Sequence, residues 1–276
     1  MTFVARRVRN IIVLDIASAL SVLCYQVLEL SLLVQQYYTG WALVAVVVSL
    51  LLFGVKKRLS VLPLGSNASW AQWHYYSGAF LLVLFVLHIE FSIPDGFVEL
   101  ALTLSLLLVA VIGILGLFIN RVYAKRLALL DEEIIYERIA GLRSSLKQRV
   151  ESALLDIVAK SKSSTLSSYY GDELANYFSG QKDFFTHLVG SSYQHQKRQS
   201  KLEHQLRYLN KDEAGFVITL IEFVNQKNTL DKHAAMQSVL KFWGVLHAPI
   251  ALVMTVFLVS HIVLVYAFGH IAPLNA

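Results

Sequence analysis

The chain has 276 residues, of which 56% are hydrophobic and only 16% charged, and its mean hydropathy is +0.55; such a composition does not suit a surface bathed in water on every side. Lipid is expected to cover part of it. The net charge of +5 does not argue for nucleic acid, because the basic residues gather at the ends of apolar runs, where membrane topology accounts for them. The single cysteine, Cys24, excludes an intrachain disulfide, a cysteine-ligated iron–sulfur cluster and a covalently attached c-type haem.

In chain order, five segments are long and apolar enough to cross about 30 Å of hydrocarbon: residues 11–34, 37–55, 70–91, 97–120 and 242–268. Arg6, Arg7 and Arg9, then Lys56, Lys57 and Arg58, then Arg121, Lys125 and Arg126 all fall on one side of the resulting weave. The positive-inside rule makes that side the cytoplasm. The opposite loops 35–40 and 92–96, and the tail after 268, hold no lysine or arginine. Ala17-Ser18-Ala19 resembles a signal cleavage site, but the apolar stretch before it is too short and the one after it too long, so the first segment reads as an uncleaved anchor. Asp15 near its inner end suits either helix-end solvation or a buried partner. Asn67-Ala68-Ser69 fits a glycosylation sequon, but on the cytoplasmic side.

The wet part lies between the fourth and fifth segments, since residues 121–240 hold 17 of the 24 basic and 14 of the 19 acidic residues. Ile135, Ile139, Leu142, Leu146, Val150, Leu154 and Val158 recur at three- and four-residue steps, predicting a long helix that continues from the fourth span. The serine-rich stretch Ser161 to Ser168 reads as a linker. Apolar groups at Leu174–Leu188, Leu202–Leu209 and Phe216–Val224 predict at least three more helices. Residues 228–240 are expected to begin a helix that feeds the last span, with Asn228 or Thr229 as its N-cap. The fold expected is therefore all-α: an integral membrane helical bundle with five transmembrane helices. Its divisions are a membrane domain at 1–120, a cytoplasmic helical insert at 121–240, and a fifth span with an outer tail at 241–276.

Four of the nine histidines lie in apolar segments, as two pairs: His74 and His88 in the third, His247 and His261 in the fifth. Each pair is fourteen residues apart. Fourteen steps of about 100° bring both members to one side of a helix, separated by about 21 Å along its axis. The third and fifth segments cross in the same direction, so His74 and His247 share a level near the cytoplasmic end, and His88 and His261 share one near the outer end. Two opposed imidazoles with few other ligands suit bis-histidine haem iron better than zinc, which wants four protein ligands, or three plus water. Gly78, one turn after His74, and Gly244, three residues before His247, are candidates for haem clearance, ordinary helix packing being the alternative. Pro249 removes the helical bond to Val245 and is placed to bend the last span. Glu29, Glu90, Asp95 and Glu99 gather toward the outer end, where carboxylates would serve proton-coupled chemistry or simply be solvated. His187, His195, His204, His233 and His270 fall in polar or loop settings and are expected to be solvated.

The pattern of His74 and His88 with His247 and His261 resembles the dihaem membrane b-type cytochromes. The surroundings Trp73-His74 with Gly78, His88-Ile89-Glu90-Phe91, and Lys241-Phe242-Trp243-Gly244 before His247-Ala248-Pro249 are similar to bacterial membrane cytochrome subunits that work with separate iron–sulfur or flavin subunits. The resemblance covers the third to fifth spans. It implies two b-type haems, one held by His74 and His247 and one by His88 and His261, in a bacterial inner membrane. It also implies electron transfer between a membrane quinone and an iron–sulfur or flavin redox partner, with no open iron position. The chain departs from the respiratory members in its five spans and its long insert, and it lacks their Pro-Glu-Trp quinol-site motif. The competing reading is a transporter or proton-conducting subunit whose intramembrane histidines relay protons or bind a transported metal ion.

Overall fold

The computed structural model describes residues 3–31, 34–58, 65–130, 133–161, 165–209 and 211–268. Among these residues the chain is helical, with no strand. The helices are α1 (Phe3–Leu30), α2 (Gln35–Arg58), α3 (Asn67–Ile89), α4 (Phe97–Leu127), α5 (Tyr136–Ser161), α6 (Thr165–Tyr169), α7 (Ala175–Ser179), α8 (Phe184–Val189), α9 (Tyr193–Gln205) and α10 (Lys211–Phe268). A π-helical turn, Tyr170–Leu174, joins α6 to α7, and a short 3₁₀ turn, Leu206–Tyr208, follows α9. The tail after 268, which includes His270, and residues 162–164 of the serine-rich stretch lie outside the described residues.

Four helical stretches are long and apolar enough to cross a membrane: Arg7–Leu30, Gln35–Lys56, Phe97–Leu127 and Glu213–Phe268. The third expected span, carried by α3, is not among them. Its first turns hold Gln72, His74, Tyr75, Tyr76 and Ser77, whose polar groups offset the run Phe80–Leu87 behind them.

The chain divides into two compact units, Met1–Ala110 with Met254–Ala276, and Val111–Val253. In the first unit α2, α3, α4 and the end of α10 enclose a core of Leu43, Val47, Leu81, Leu84, Phe85, Leu106 and Met254. Asn10 Nδ2 donates to Gln72 Oε1 at 3.1 Å and Tyr25 Oη to Glu90 Oε1 at 3.0 Å, tying α1 to α3 at both ends. Gln35–Gly40, expected as a loop, is instead the first turn of α2. The sequon residues open α3: Ser66 is its N-cap and accepts from the Ser69 amide at 3.2 Å, while Asn67 Oδ1 accepts from Lys56 Nζ. At the other end Glu90 and Phe91 both take the left-handed conformation, φ 51° and 57°, and reverse the chain into α4.

In the second unit the stripe on α5 is buried at Ile139, Leu146, Val150 and Leu154 and packs on Tyr177, Phe178, Leu202, Val217, Leu220 and Val224. Ile135 and Leu142 face outward, and Arg143 turns inward to Asp231 instead, at 2.8 Å. The long helix expected to run on from the fourth span is broken: α4 stops at Leu127 and α5 begins at Tyr136. Lys125 and Arg126 suit a helix C-terminus, whereas the run Asp131-Glu132-Glu133 disfavours one and favours a new N-terminus. Residues 228–240 do not start a helix either; they lie in the middle of α10. Asn228 is buried there, and the i,i+4 pair Lys227–Asp231 and the buried Ala234, Ala235 and Met236 hold the helix through a sequence that reads locally as a cap.

Lys227 and Asp231 are both 0% exposed and paired. Lys227 Nζ also donates to Gly180 O at 2.8 Å, and Asp231 accepts from Arg143 and from the Lys182 amide. Burial draws the Lys227 ammonium down to about 8, with Asp231 pulling the other way. The Tyr177 ring lies under two cations, 4.3 Å from Arg198 and 4.9 Å from Lys227, and burial pushes its hydroxyl up.

Candidate functional site

α3 carries His74 and His88, and α10 carries His247 and His261. The first unit brings His88 and His261 opposite one another, edge to face, with ring centroids 6.5 Å apart and planes at 90°. A metal–imidazole bond is about 2 Å, so two opposed imidazoles sharing one ion have centroids roughly 6 Å apart. Among the described residues no group of three or more histidine, cysteine or acidic side chains is placed to hold a metal ion. The pair thus offers two ligands, and any metal there needs its remaining ligands from elsewhere.

Thr39 of α2 fixes the first of these rings. Its hydroxyl lies 3.0 Å from Gln35 O and 3.3 Å from Gln36 O, where its one hydrogen goes, and 3.1 Å from His88 Nδ1. The hydroxyl oxygen therefore accepts from Nδ1–H, leaving the lone pair on Nε2 for a ligand. His261 turns Nδ1 toward Glu99 Oε1, 3.8 Å away, so a carboxylate stands behind the second ring. Both rings line a cavity of about 510 Å³ together with Gly40, Trp41, Glu99 and Tyr266. Tyr266 accepts from Trp41 Nε1 at 3.3 Å and lies 3.4 Å from the Tyr37 hydroxyl, an aromatic cluster of the kind found at membrane–water interfaces. Gly40 lies close against the ring: a Cβ there would sit 3.2 Å from His88 Cε1 and press on it.

His74 belongs to the first unit and His247 to the second. The His74 ring lies 5.2 Å from Phe53 of α2 and 6.4 Å from Tyr75. His247 stacks on Trp243 one turn earlier in α10, at 5.4 Å and 20°. Trp243 Nε1 donates to Ile112 O of α4 at 2.9 Å, and its indole occupies the space that a side chain at Gly116 would need. A Cβ at Gly113 would come within 3.6 Å of His247 Cε1. Gly116 of α4 thus makes room for Trp243, while Gly113 meets His247 at ordinary contact distance.

A methyl group at Gly78 or Gly244 would meet nothing within 4 Å, so close helix packing does not explain either glycine. Pro249 lies inside α10, where it cannot donate to Val245 O. Of the outer acids, Glu99 approaches a ligand candidate, Glu90 is engaged by Tyr25, and Glu29 and Asp95 are exposed. Asp15 is exposed as well. Two of the histidines expected to be solvated are instead buried: His187 is 6% and His233 2% exposed, because α8 and α10 fold them into the second unit.

Comparison with family models, characterised proteins and solved structures gives no match. The case for function rests on these side chains. Thr39, Gly40, Gly113 and Gly116 went unnoticed in the sequence, although each is a small residue inside an apolar helix. Trp243 stands four residues before His247, the spacing at which helical side chains meet.

Proposed function

We propose that the chain is an electron-transfer subunit of a bacterial inner membrane, with two b-type haems each held by a histidine of α3 and one of α10. His88 and His261 hold the outer haem, and the matching fourteen-residue spacings assign His74 and His247 to the inner one, with α3, third in chain order, as a further crossing. The observation that carries the reading is the opposed pair His88 and His261, spaced for one shared ion. Thr39 and Glu99 stand behind the two rings, and the pair has no third protein ligand among the described residues. A porphyrin brings its own equatorial nitrogens, which is what a two-ligand site lacks. The open space beside Gly78 and Gly244 suits a bulky apolar edge.

When bound, the group would supply a one-electron couple, with the four histidines as the residues that would hold it. The chain's own residues do the rest. Thr39 holds His88 in the tautomer that presents Nε2, Trp243 fixes the plane of His247, and the apolar core around Leu81, Leu84 and Phe85 excludes water. A membrane quinone is the electron partner on one face, and an iron–sulfur or flavin subunit on the other, docking near the cytoplasmic insert 121–240. The contact between His261 and Glu99 also favours a second reading, a proton-conducting or transporter subunit.

A visible spectrum of the purified chain separates the two. Reduced-minus-oxidised bands of low-spin b haem, near two per chain, support the proposal, and colourless protein overturns it. His88→Ala or His261→Ala is expected to remove one signal, and His74→Ala or His247→Ala the other. Loss of the same signal from His74→Ala and His261→Ala would refute the assigned pairs.

A further inference from the structure

The second unit holds a smaller cavity that the electron-transfer reading does not use. It has a volume of about 280 Å³ and lies where α4 ends, between α8, the start of α9 and α10. α4 is 31 residues long, about 46 Å at 1.5 Å per residue, which exceeds the 30 Å of hydrocarbon. Its last turns, with Arg121, Lys125 and Arg126, therefore stand at the level of lipid headgroups. Two cations line the cavity, Arg126 and Lys232, and among its described lining residues none is acidic. Arg126 is held in place by Leu188 O at 2.5 Å and Val189 O at 3.4 Å, and Gly190 leaves room for its guanidinium, which a Cβ there would approach to 3.3 Å.

Two hydrogen-bonding side chains and a helix N-terminus complete it. Ser192 is the N-cap of α9, yet its hydroxyl makes no capping bond. The N-terminal end of that 13-residue helix favours negative charge, although its first amide, Tyr193 N–H, already donates to Ser191 Oγ at 3.3 Å. His187, only 6% exposed, lines the cavity with an Nδ1 that has no hydrogen-bond partner. A buried ring nitrogen left unbonded is costly. An anionic oxygen in the cavity would accept from it. The rim is apolar, since Leu129 and Val189 are 73% and 76% exposed.

We propose that this cavity binds a phosphate-bearing anion, namely the headgroup phosphate of an anionic phospholipid whose chains lie over Leu129 and Val189. Arg126 and Lys232 supply the charge, and Ser192 and His187 the directed hydrogen bonds. The site is independent of the histidine pairs on α3 and α10.

The test uses the full purified chain, delipidated in neutral detergent and titrated with phosphatidylglycerol, phosphatidylcholine or inorganic phosphate, with native mass spectrometry counting what is retained. Wild type is expected to keep one phosphatidylglycerol that phosphatidylcholine does not replace. Lys232→Gln should bind it about tenfold more weakly, as loss of a charge-assisted contact predicts, and Ser192→Ala less so. Far-UV circular dichroism checks each fold; Ser192→Ala, at an exposed position, keeps the test valid should Lys232→Gln unfold. Competition by inorganic phosphate supports the shared phosphate chemistry, and binding of phosphate with no preference for phosphatidylglycerol assigns it to a soluble ligand instead of a lipid. Equal retention of both lipids by wild type, Lys232→Gln and Ser192→Ala, with no phosphate bound, overturns the site.

Discussion

The second unit encloses Lys227, Asp231 and His233 at 0–2% exposure beneath a core drawn from α5, α7, α9 and α10. The first unit has a thinner core, and its helix α1 leaves Val13, Leu23 and Val27 more than half exposed. On the proposed membrane reading, the difference follows from the solvent. A water-facing unit must gather its apolar side chains inside, and any charge taken in with them needs a partner. Helices clothed by lipid gain little by hiding leucine from a medium equally apolar. In the first unit apolar character therefore says little about which residues matter, and the polar atoms carry the information.

The largest break in that comparison should come from Asp231→Ala. It strands Lys227 and Arg143, and unpairing a buried charge costs about 3–5 kcal/mol. Hydrogen exchange of the α5 amides in the full chain should accelerate accordingly, with little change in α2. Next comes a matched pair of truncations. Leu146→Ala on α5 removes a side chain that is 1% exposed and should cost about 2–5 kcal/mol. Leu52→Ala on α2, 48% exposed to the surroundings, should change stability by less than about 0.5 kcal/mol. Equal losses at the two positions would show that α2 is packed as tightly as α5, and the contrast between the units would fail.

The same contrast explains what the sequence made legible. The apolar segments, the stripe Ile139–Leu154 and the two histidine spacings stand out because composition and period survive any packing. The break between α4 and α5 could be heard in Asp131-Glu132-Glu133, but the hydrophobic period across it was the louder signal. Asn228 and Thr229 looked like a helix start because short polar residues favour caps; burial of Asn228 and the Lys227–Asp231 pair overrode that local preference. Thr39 and Gly40 were invisible for another reason. Their role depends on which helix faces His88, and that is a fact of three dimensions without a periodic trace.

Thr39 offers the next sharpening, within the first unit alone. Thr39→Val keeps shape and removes the acceptor for His88 Nδ1–H, so the ring loses its orientation and its tautomer. Partners of this kind are worth about 10–100-fold in affinity for a ligated group. On the proposed reading, the outer haem should be lost more readily during detergent exchange or transfer to a haem-scavenging apoprotein, with the inner signal unchanged. Thr39→Ser, which keeps the hydroxyl, should restore retention. An outer signal indifferent to both changes would mean that the Thr39 contact does not position the ring.

The smallest effect is a slope. Burial holds the His187 imidazolium below its ordinary value of 6.5, with Lys232 and Lys227 adding to the depression and Asp231 and Asp183 opposing it. The folded second unit therefore binds fewer protons at this ring than the unfolded chain does below about pH 6.5. Its contribution to stability is complete above that value and falls as the pH drops through the window beneath it, by at most about 1.4 kcal/mol per pH unit. His195 is depressed in the same direction by burial, so His187→Leu should reduce the slope without abolishing it. Hydrogen exchange of α8 and α9 between pH 5 and 7, corrected for intrinsic rates, reads that slope. The titration belongs in phosphate-free buffer, because an anion beside His187 would favour the protonated ring and flatten the same curve. A wild-type slope that steepens when phosphatidylglycerol is added would contradict the sign argued for the cavity as well as for the histidine.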